Sequence, residues 1–322
     1  MGVSLVRRYD SLFLPLAILL LGGLLSFVLT DYRLRLLNIS VISAIAVIGF
    51  NVAFGLTGLI SLGHAAFVGM GAYTLAILTT SLGWSGWLAI PVAIVVTIGF
   101  AALIGFPLLR LRGHYLALAT LGLNVSFTIV LTNWVQLTGG TNGISNISDL
   151  HLGSFAFNSE QRFLWLGVMF LAVCAAGAVL LQKSALGRAM MAVRDDEIAA
   201  RMTGIDVTRI KITALCISAA LAALAGSLFA THVRFVAPED FSYAHSIVYL
   251  AMLIVGGEGT VAGAIIGAAL LTFLPEWLRF LGNAYLAFFG LMLLAILIFL
   301  PTGLVGLVAR LRGRREQGGA TP

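Results

Sequence analysis

The chain has 322 residues, of which 60% are apolar and only 10% charged, and its mean hydropathy is +1.05. That leaves too little polar surface to clothe a water-soluble globule of this length, so the bilayer is its main solvent and the expected fold class is an all-α, polytopic transmembrane helix bundle. Nineteen Lys and Arg against thirteen Asp and Glu give +6, an excess that suits nucleic acid, anionic lipid or membrane topology until the charges are located.

A spanning helix needs roughly 20 mostly apolar residues. Apolar runs read against Gly, Pro and charge breakers predict about ten segments, at 12–29, 36–54, 59–80, 87–109, 114–132, 162–181, 211–231, 244–257, 259–275 and 284–300. The first follows Arg7 and Arg8 and has the outline of a secretory signal. It exits through Val28, Leu29, Thr30 and Asp31 without a small-residue cleavage pattern, and so reads as a span. Gly256, Gly257 and Gly259 interrupt 244–275, which is either two spans or a re-entrant pair. An even number of spans with a cytoplasmic N-terminus returns the C-terminus to the same side. Fourteen of the nineteen basic residues then face the cytoplasm and five the outside, as the positive-inside rule requires. Topology accounts for the basic excess, and nucleic acid drops out as a partner.

Residues 1–322 therefore read as one transmembrane domain with an external loop at 133–161, a cytoplasmic loop at 182–210 and a basic cytoplasmic tail at 310–322. Cys174 and Cys216 lie inside apolar runs with no metal-type spacing and read as small packing residues. The external loop holds Thr138, Gly139, Gly140, Thr141, Asn142 and Gly143, a glycine-rich turn that permits close backbone approach. In the cytoplasmic loop, residues 188–203 are good helix formers without Gly or Pro, and Gly204 is placed to stop the helix. Such a segment is either solvated surface or a handle for another protein.

Polar residues at membrane depth need a partner helix or a water-filled cavity. Asn51, Thr57, Ser61 and His64 form one such group, set among small residues that also allow close helix packing. Thr120, Asn124 and Thr128 follow at i, i+4 and i+8 and share one helix face. Both groups are candidates for lining a translocation pathway and, equally, for helix-to-helix hydrogen bonding. No acidic residue sits in the middle of a predicted span, which weakens ion-coupled transport. The chain has no G-x-x-x-x-G-K-S/T sequence, so energy from ATP has to come from another subunit. It also lacks a zinc-type His-Glu-x-x-His or paired intramembrane Asp, which disfavours an intramembrane enzyme.

The stretch Glu197-x-Ala199-Ala200-x-x-x-Gly204-Ile205, preceded by Gly187, Arg188 and Arg194, resembles the EAA motif of bacterial importer permeases of the ATP-binding-cassette class. Further matches are Gly55-Leu56-Thr57-Gly58, Ser61 to Phe67, Gly71-Ala72-Tyr73, Arg112 to Leu121, the 138–143 loop and Gly256-Gly257-Glu258-Gly259. Together these resemble the branched-chain amino acid permeases, of the LivM kind rather than LivH, from about residue 40 to 305. Glu258 departs from the pattern, which more often carries an uncharged residue there.

The resemblance implies a plasma (inner) membrane protein of bacteria that is not itself an enzyme and carries no cofactor. ATP and Mg would be bound by two partner ATPases docked on the 187–204 loop. A homologous LivH-like permease subunit and a periplasmic or extracellular amino-acid-binding protein would complete the complex, the latter docking near 138–143. Branched-chain amino acids are the implied substrates, with urea, amides or aromatic acids handled by related systems. A passive channel is the alternative class, and it has no use for an ATPase-docking helix.

Overall fold

The computed structural model describes residues 3–109, 111, 113–152, 155–279, 290, 291, 294 and 303–306. Its helices are α1 (Val3–Val28), α2 (Asp31–Ala53), α3 (His64–Thr80), α4 (Gly86–Leu108), α5 (His114–Asn133), the single turn α6 (Val135–Thr138), α7 (Glu160–Lys183), α8 (Ala185–Asp195), α9 (Glu197–Met202), α10 (Val207–Val233), α11 (Tyr243–Gly256) and α12 (Val261–Trp277). Two-residue strands β1 (Ile144–Ser145), β2 (His151–Leu152), β3 (Phe155–Ala156) and β4 (Phe235–Val236) form two antiparallel pairs, β1 with β4 and β2 with β3. The last expected span, 284–300, lies almost wholly outside the described residues, as does the 310–322 tail.

Helix α2 carries apolar residues on every side and accordingly takes the centre of the bundle, with Ile45 to Ile48 and Phe50 sealed from solvent. Helices α7, α10, α11 and α12 surround it, while α3 and α4 lie on the far side of α10. Among the described residues five helices, α2, α4, α5, α7 and α10, are long and apolar enough to cross a membrane, and Leu14–Ser26 of α1 with α3, α11 and α12 are shorter apolar helices. One end of the bundle carries α8 and α9; the other carries the four short strands.

Lipid tails offer no hydrophobic drive for one helix to prefer another, so association here depends on close approach and on polar ties. A methyl group on Gly226 of α10 would sit 1.9 Å from the Val68 carbonyl oxygen of α3, and one on Gly71 of α3 would lie 2.4 Å from the Ala223 backbone of α10. The two backbones are in direct contact. The α11–α12 pair is built the same way, because a Cβ on Gly267 would fall 1.9 Å from the Met252 carbonyl oxygen. Polar ties secure the strand end: Asn38 Nδ2 donates to both the backbone oxygen and the carboxylate of Glu160, each at 2.9 Å. Tyr32 Oη donates to Glu276 at 2.6 Å, joining α2 to α12.

Two expectations are adjusted, and one stretch with open alternatives gains its local structure. The span expected at 59–80 begins as a helix only at His64, because 54–63 folds back inside the bundle as turns, with Leu56, Thr57, Leu59 and Ser61 buried. The stretch 244–275 is two antiparallel helices running alongside α2. Its Gly257–Thr260 turn meets α2 at Asn51, and the end of α12 meets α2 at Tyr32. The single helix expected over 188–203 is broken at Asp196, whose backbone is extended at φ −157° and ψ 112°. Gly204 does end the second piece, with φ +85°.

The backbone contact between α3 and α10 yields a stability test. Gly226→Val must push the two helices apart and should cost at least about 2 kcal/mol. Gly122→Ala on α5, where an added Cβ meets nothing within 4 Å, should be neutral or stabilising by about 0.5–1 kcal/mol. Thermal unfolding of both variants in detergent or nanodiscs reads the difference directly.

Candidate functional site at the α8–α9 end and the helix break

Helix α8 starts on an N-cap, Ser184 Oγ accepting the Gly187 N–H at 3.1 Å. Gly187 has no room for a side chain, since a Cβ would lie 2.1 Å from the Leu181 carbonyl oxygen at the end of α7. Asp196 opens α9 by accepting the N–H groups of Ile198 at 2.8 Å and Ala199 at 3.0 Å, and these two bonds hold its carboxyl below the usual carboxylate range. The connection from α8 to α9 is thus a sharp, capped corner. Val193, Ala200 and Val207 close a small apolar cluster beneath it.

On the opposite side of α9, Ile198 is 69% exposed and Met202 85% exposed, one turn apart on the same face. These two large apolar residues make this face of α9 the candidate contact surface. Glu197 turns inward instead and forms an ion pair with Lys211 of α10, whose side chain is only 10% exposed. Both line a crevice of about 390 Å³ with Arg201, Thr208 and, from α4, Phe106. Arg188 is exposed and donates to the Lys183 carbonyl at 2.9 Å.

Arg194 reaches away from the exposed face. Its Nη1 donates to the carbonyl of Gly55, just past the end of α2, at 2.7 Å, while Nε and Nη2 donate to Asp195 Oδ1 at 3.2 and 3.1 Å. Beside it, Asn51 Oδ1 accepts the Gly259 N–H at 2.9 Å and Gln182 Nε2 donates to the Gly259 carbonyl at 3.2 Å. Glu258, the residue that departs from the family pattern, is exposed at this turn. The structure therefore joins Asn51, a pathway candidate, to Arg194, a docking-loop candidate. Gly55, Gln182 and Gly259 complete the knot, and no chemical signature in the sequence marks Gln182 as their partner.

The remaining polar candidates gather around the start of α3. His64 is buried, with Nε2 2.9 Å from the Ala46 carbonyl oxygen, and its ring lies between Phe50 and Tyr249. Thr120 Oγ1 accepts the Leu62 N–H at 2.9 Å, and Ser61 Oγ accepts the Gly63 N–H at 3.3 Å. Ser246 of α11, which the sequence reading passed over, accepts the Ala65 N–H at 2.9 Å. Asn124 is fully buried with Nδ2 3.4 Å from Ser246 Oγ, and its Oδ1 has no partner. Turning that amide over would only exchange which of its two atoms is left over.

Ser61, His64, Thr120 and Asn124 are thus brought together, whereas Thr57 donates to Ala53 within its own turn and Thr128 donates to the Asn124 carbonyl of its own helix. Between Ser61, Phe67, Leu116, Thr120 and Leu215 lies a narrow space of about 20 Å³, room for roughly one water molecule.

At the strand end, the 138–143 loop is pinned rather than free. Thr138 is buried and donates to the carbonyls of Leu131 at 2.6 Å and Trp134 at 2.8 Å. Gly140 is buried, and a Cβ on Gly139 or Gly143 would fall within 2.2 Å of a neighbouring carbonyl oxygen. Thr141 and Asn142 form its exposed tip. Among the described residues no group of three or more His, Cys, Asp or Glu side chains could hold a metal ion.

The inward turn of Glu197 generates a prediction. Glu197→Ala strands the Lys211 ammonium and should destabilise the protein by about 1–3 kcal/mol, less than a fully buried pair would because the carboxylate is partly solvated. The double variant Glu197→Ala with Lys211→Met should recover most of that loss. Thermal midpoints of the two variants against wild type check it.

Over residues 32–300 the chain matches the family described as the permease component of the branched-chain amino acid transport system. It is 36% identical over 319 residues to the high-affinity branched-chain amino acid transport system permease protein LivM of Escherichia coli K12, covering 92% of this chain and 75% of the relative. It is 27% identical over 289 residues to LivH of the same strain, covering 82% and 91%. Similarity of 30% over 300 residues, covering 88% and 71%, extends to the autoinducer 2 import system permease protein LsrC of Yersinia enterocolitica. No solved structure matches. A central apolar helix, a capped and exposed α9 and similarity running through nearly the whole bundle agree on one assignment: the chain belongs to the branched-chain amino acid transport permeases, of LivM type.

Proposed function

We propose that this chain is the permease subunit of an importer that moves branched-chain or related amino acids inward across the bacterial inner membrane by ATP-driven alternating access. The observation that carries the reading is α9, braced by Asp196, Ala200 and the Glu197–Lys211 pair and presenting Ile198 and Met202 outward. That face suits a groove on a partner ATPase, and the α8–α9 end is then cytoplasmic. Two such ATPases, each binding ATP and Mg, would act on this chain and on a LivH-like subunit. The similarity to both LivM and LivH supports such a pair of unlike permeases.

The strand end is then external, and the tip at Thr141 and Asn142 is the part of the 138–143 loop available to an amino-acid-binding protein. Ser61, His64, Thr120 and Asn124 are the pathway candidates that the fold keeps together. In the structure described here they are sealed, so passage requires the second state that ATP binding favours, and only a free-energy difference between the two states can drive that shift. The acidic residues mapped to loops and helix ends are consistent with energy supplied from outside the chain.

The reading is tested by ATP hydrolysis in liposomes holding the complex and its binding protein. Ile198→Asp with Met202→Asp should release the ATPase on purification and abolish substrate-stimulated hydrolysis. Full stimulated hydrolysis in this double variant would remove α9 as the ATPase contact and return the channel reading.

A further inference from the structure

Resting on that reading, we propose that Arg194 is the positioning residue that transmits movement of the α8–α9 corner to the α11–α12 hairpin, rather than only to the helices α7 and α10 that flank the corner in sequence. Arg194 sits at the last turn of α8, the Asp196 side chain caps α9 directly after it, and the Val193–Ala200–Val207 cluster packs α8 against α9 and the start of α10. Its guanidinium crosses 139 positions of sequence to reach the Gly55 carbonyl at 2.7 Å. The same Nη1 lies 3.4 Å from the point where a Cβ on Gly259 would stand, so the group bonded to the end of α2 stands beside the hairpin turn.

The turn beside it is held from two sides. Both backbone polar groups of Gly259 are engaged by side chains of other helices, the N–H by Asn51 of α2 and the carbonyl by Gln182 of α7. Thr260 caps α12 directly after it, accepting the Gly263 N–H at 3.1 Å, and the close contact of Gly267 with Met252 binds α11 to α12. Displacing the turn therefore displaces the hairpin as a unit. Further along α11, Ser246 receives the Ala65 N–H and stands beside Asn124, so the hairpin ends among the sealed polar residues at the start of α3.

Arginine suits this position because its fork makes two kinds of contact at once. Nε and Nη2 lock onto Asp195 Oδ1, which fixes the guanidinium plane and aims Nη1 at Gly55. A lysine ammonium can reach one of these acceptors but cannot hold that plane.

The test uses the whole complex in liposomes, comparing basal hydrolysis with hydrolysis stimulated by leucine-loaded binding protein for Arg194→Gln, Asn51→Ala, their double variant, Arg194→Lys and, as a charge control, the exposed Arg209→Gln. The expected result is that each variant copurifies with its ATPase. The stimulation ratio should fall about fivefold or more in Arg194→Gln and in Asn51→Ala. The double variant should be no worse than either alone, Arg194→Lys should recover part of the ratio, and Arg209→Gln should match wild type. Wild-type stimulation in Arg194→Gln would overturn the proposal, as would loss of the ATPase from that variant or losses that multiply in the double variant. If Arg194→Gln does not accumulate, unchanged stimulation in Asn51→Ala overturns it alone. A wild-type complex without stimulated hydrolysis would instead overturn the importer reading beneath it.

Discussion

A chain in hydrocarbon has no water to satisfy its backbone, and this protein departs from the helix inside its own bundle. Between Phe54 and Gly63 the chain turns back on itself while still buried, and the donors that α3 leaves open at its start have to be met by side chains. Ser246 meets the one at Ala65, Thr120 and Ser61 meet those of Leu62 and Gly63 in the turn before it, and Asn51 does the same for the Gly257–Thr260 turn. The polar residues of this apolar protein are placed by that requirement first. Any role in passage is built on groups that already hold the break together.

Packing then fixes how far the break can move. Helices α10 and α3 touch through backbone atoms, and so do α11 and α12, so sliding within either pair meets a hard wall. Displacement is easier between such pairs than within them, which suits a mechanism of two arrangements over one of continuous deformation. The side-chain ties between units are fewer and more specific: Arg194 to Gly55, Gln182 and Asn51 to Gly259, Asn124 to Ser246.

The all-α architecture was legible in composition and apolar run length, because those are the quantities that lipid selects. The inward stripe of Thr120 and Asn124 was legible for the same reason, a polar group on an apolar helix having to face protein. What stayed hidden depended on pairs far apart in the chain. Nothing near Gln182 or Ser246 announces its partner, since an isolated Gln or Ser is chemically ordinary until folding brings it to an open backbone group. The break at Asp196 was hidden differently: helix propensity favours continuity through 188–203, and a short acidic residue won by capping a new helix with its side chain. Glu197 turns inward because Lys211 lies buried below it.

Asn124 and Ser246 are separated by 122 residues of chain. At the usual pace of synthesis, about 5–20 residues per second, roughly six seconds or more pass between the appearance of the first and of the second. During that interval α5 has been made with an amide on its apolar surface, and the helix that shelters it does not yet exist. A longer delay, over 181 residues, applies to the Ala65 N–H at the start of α3, whose acceptor is Ser246 as well. The nascent bundle must therefore wait in a half-assembled form, with its interior polar groups held by water, by the insertion machinery or by one another, and α11 acts as the late-arriving piece that closes it.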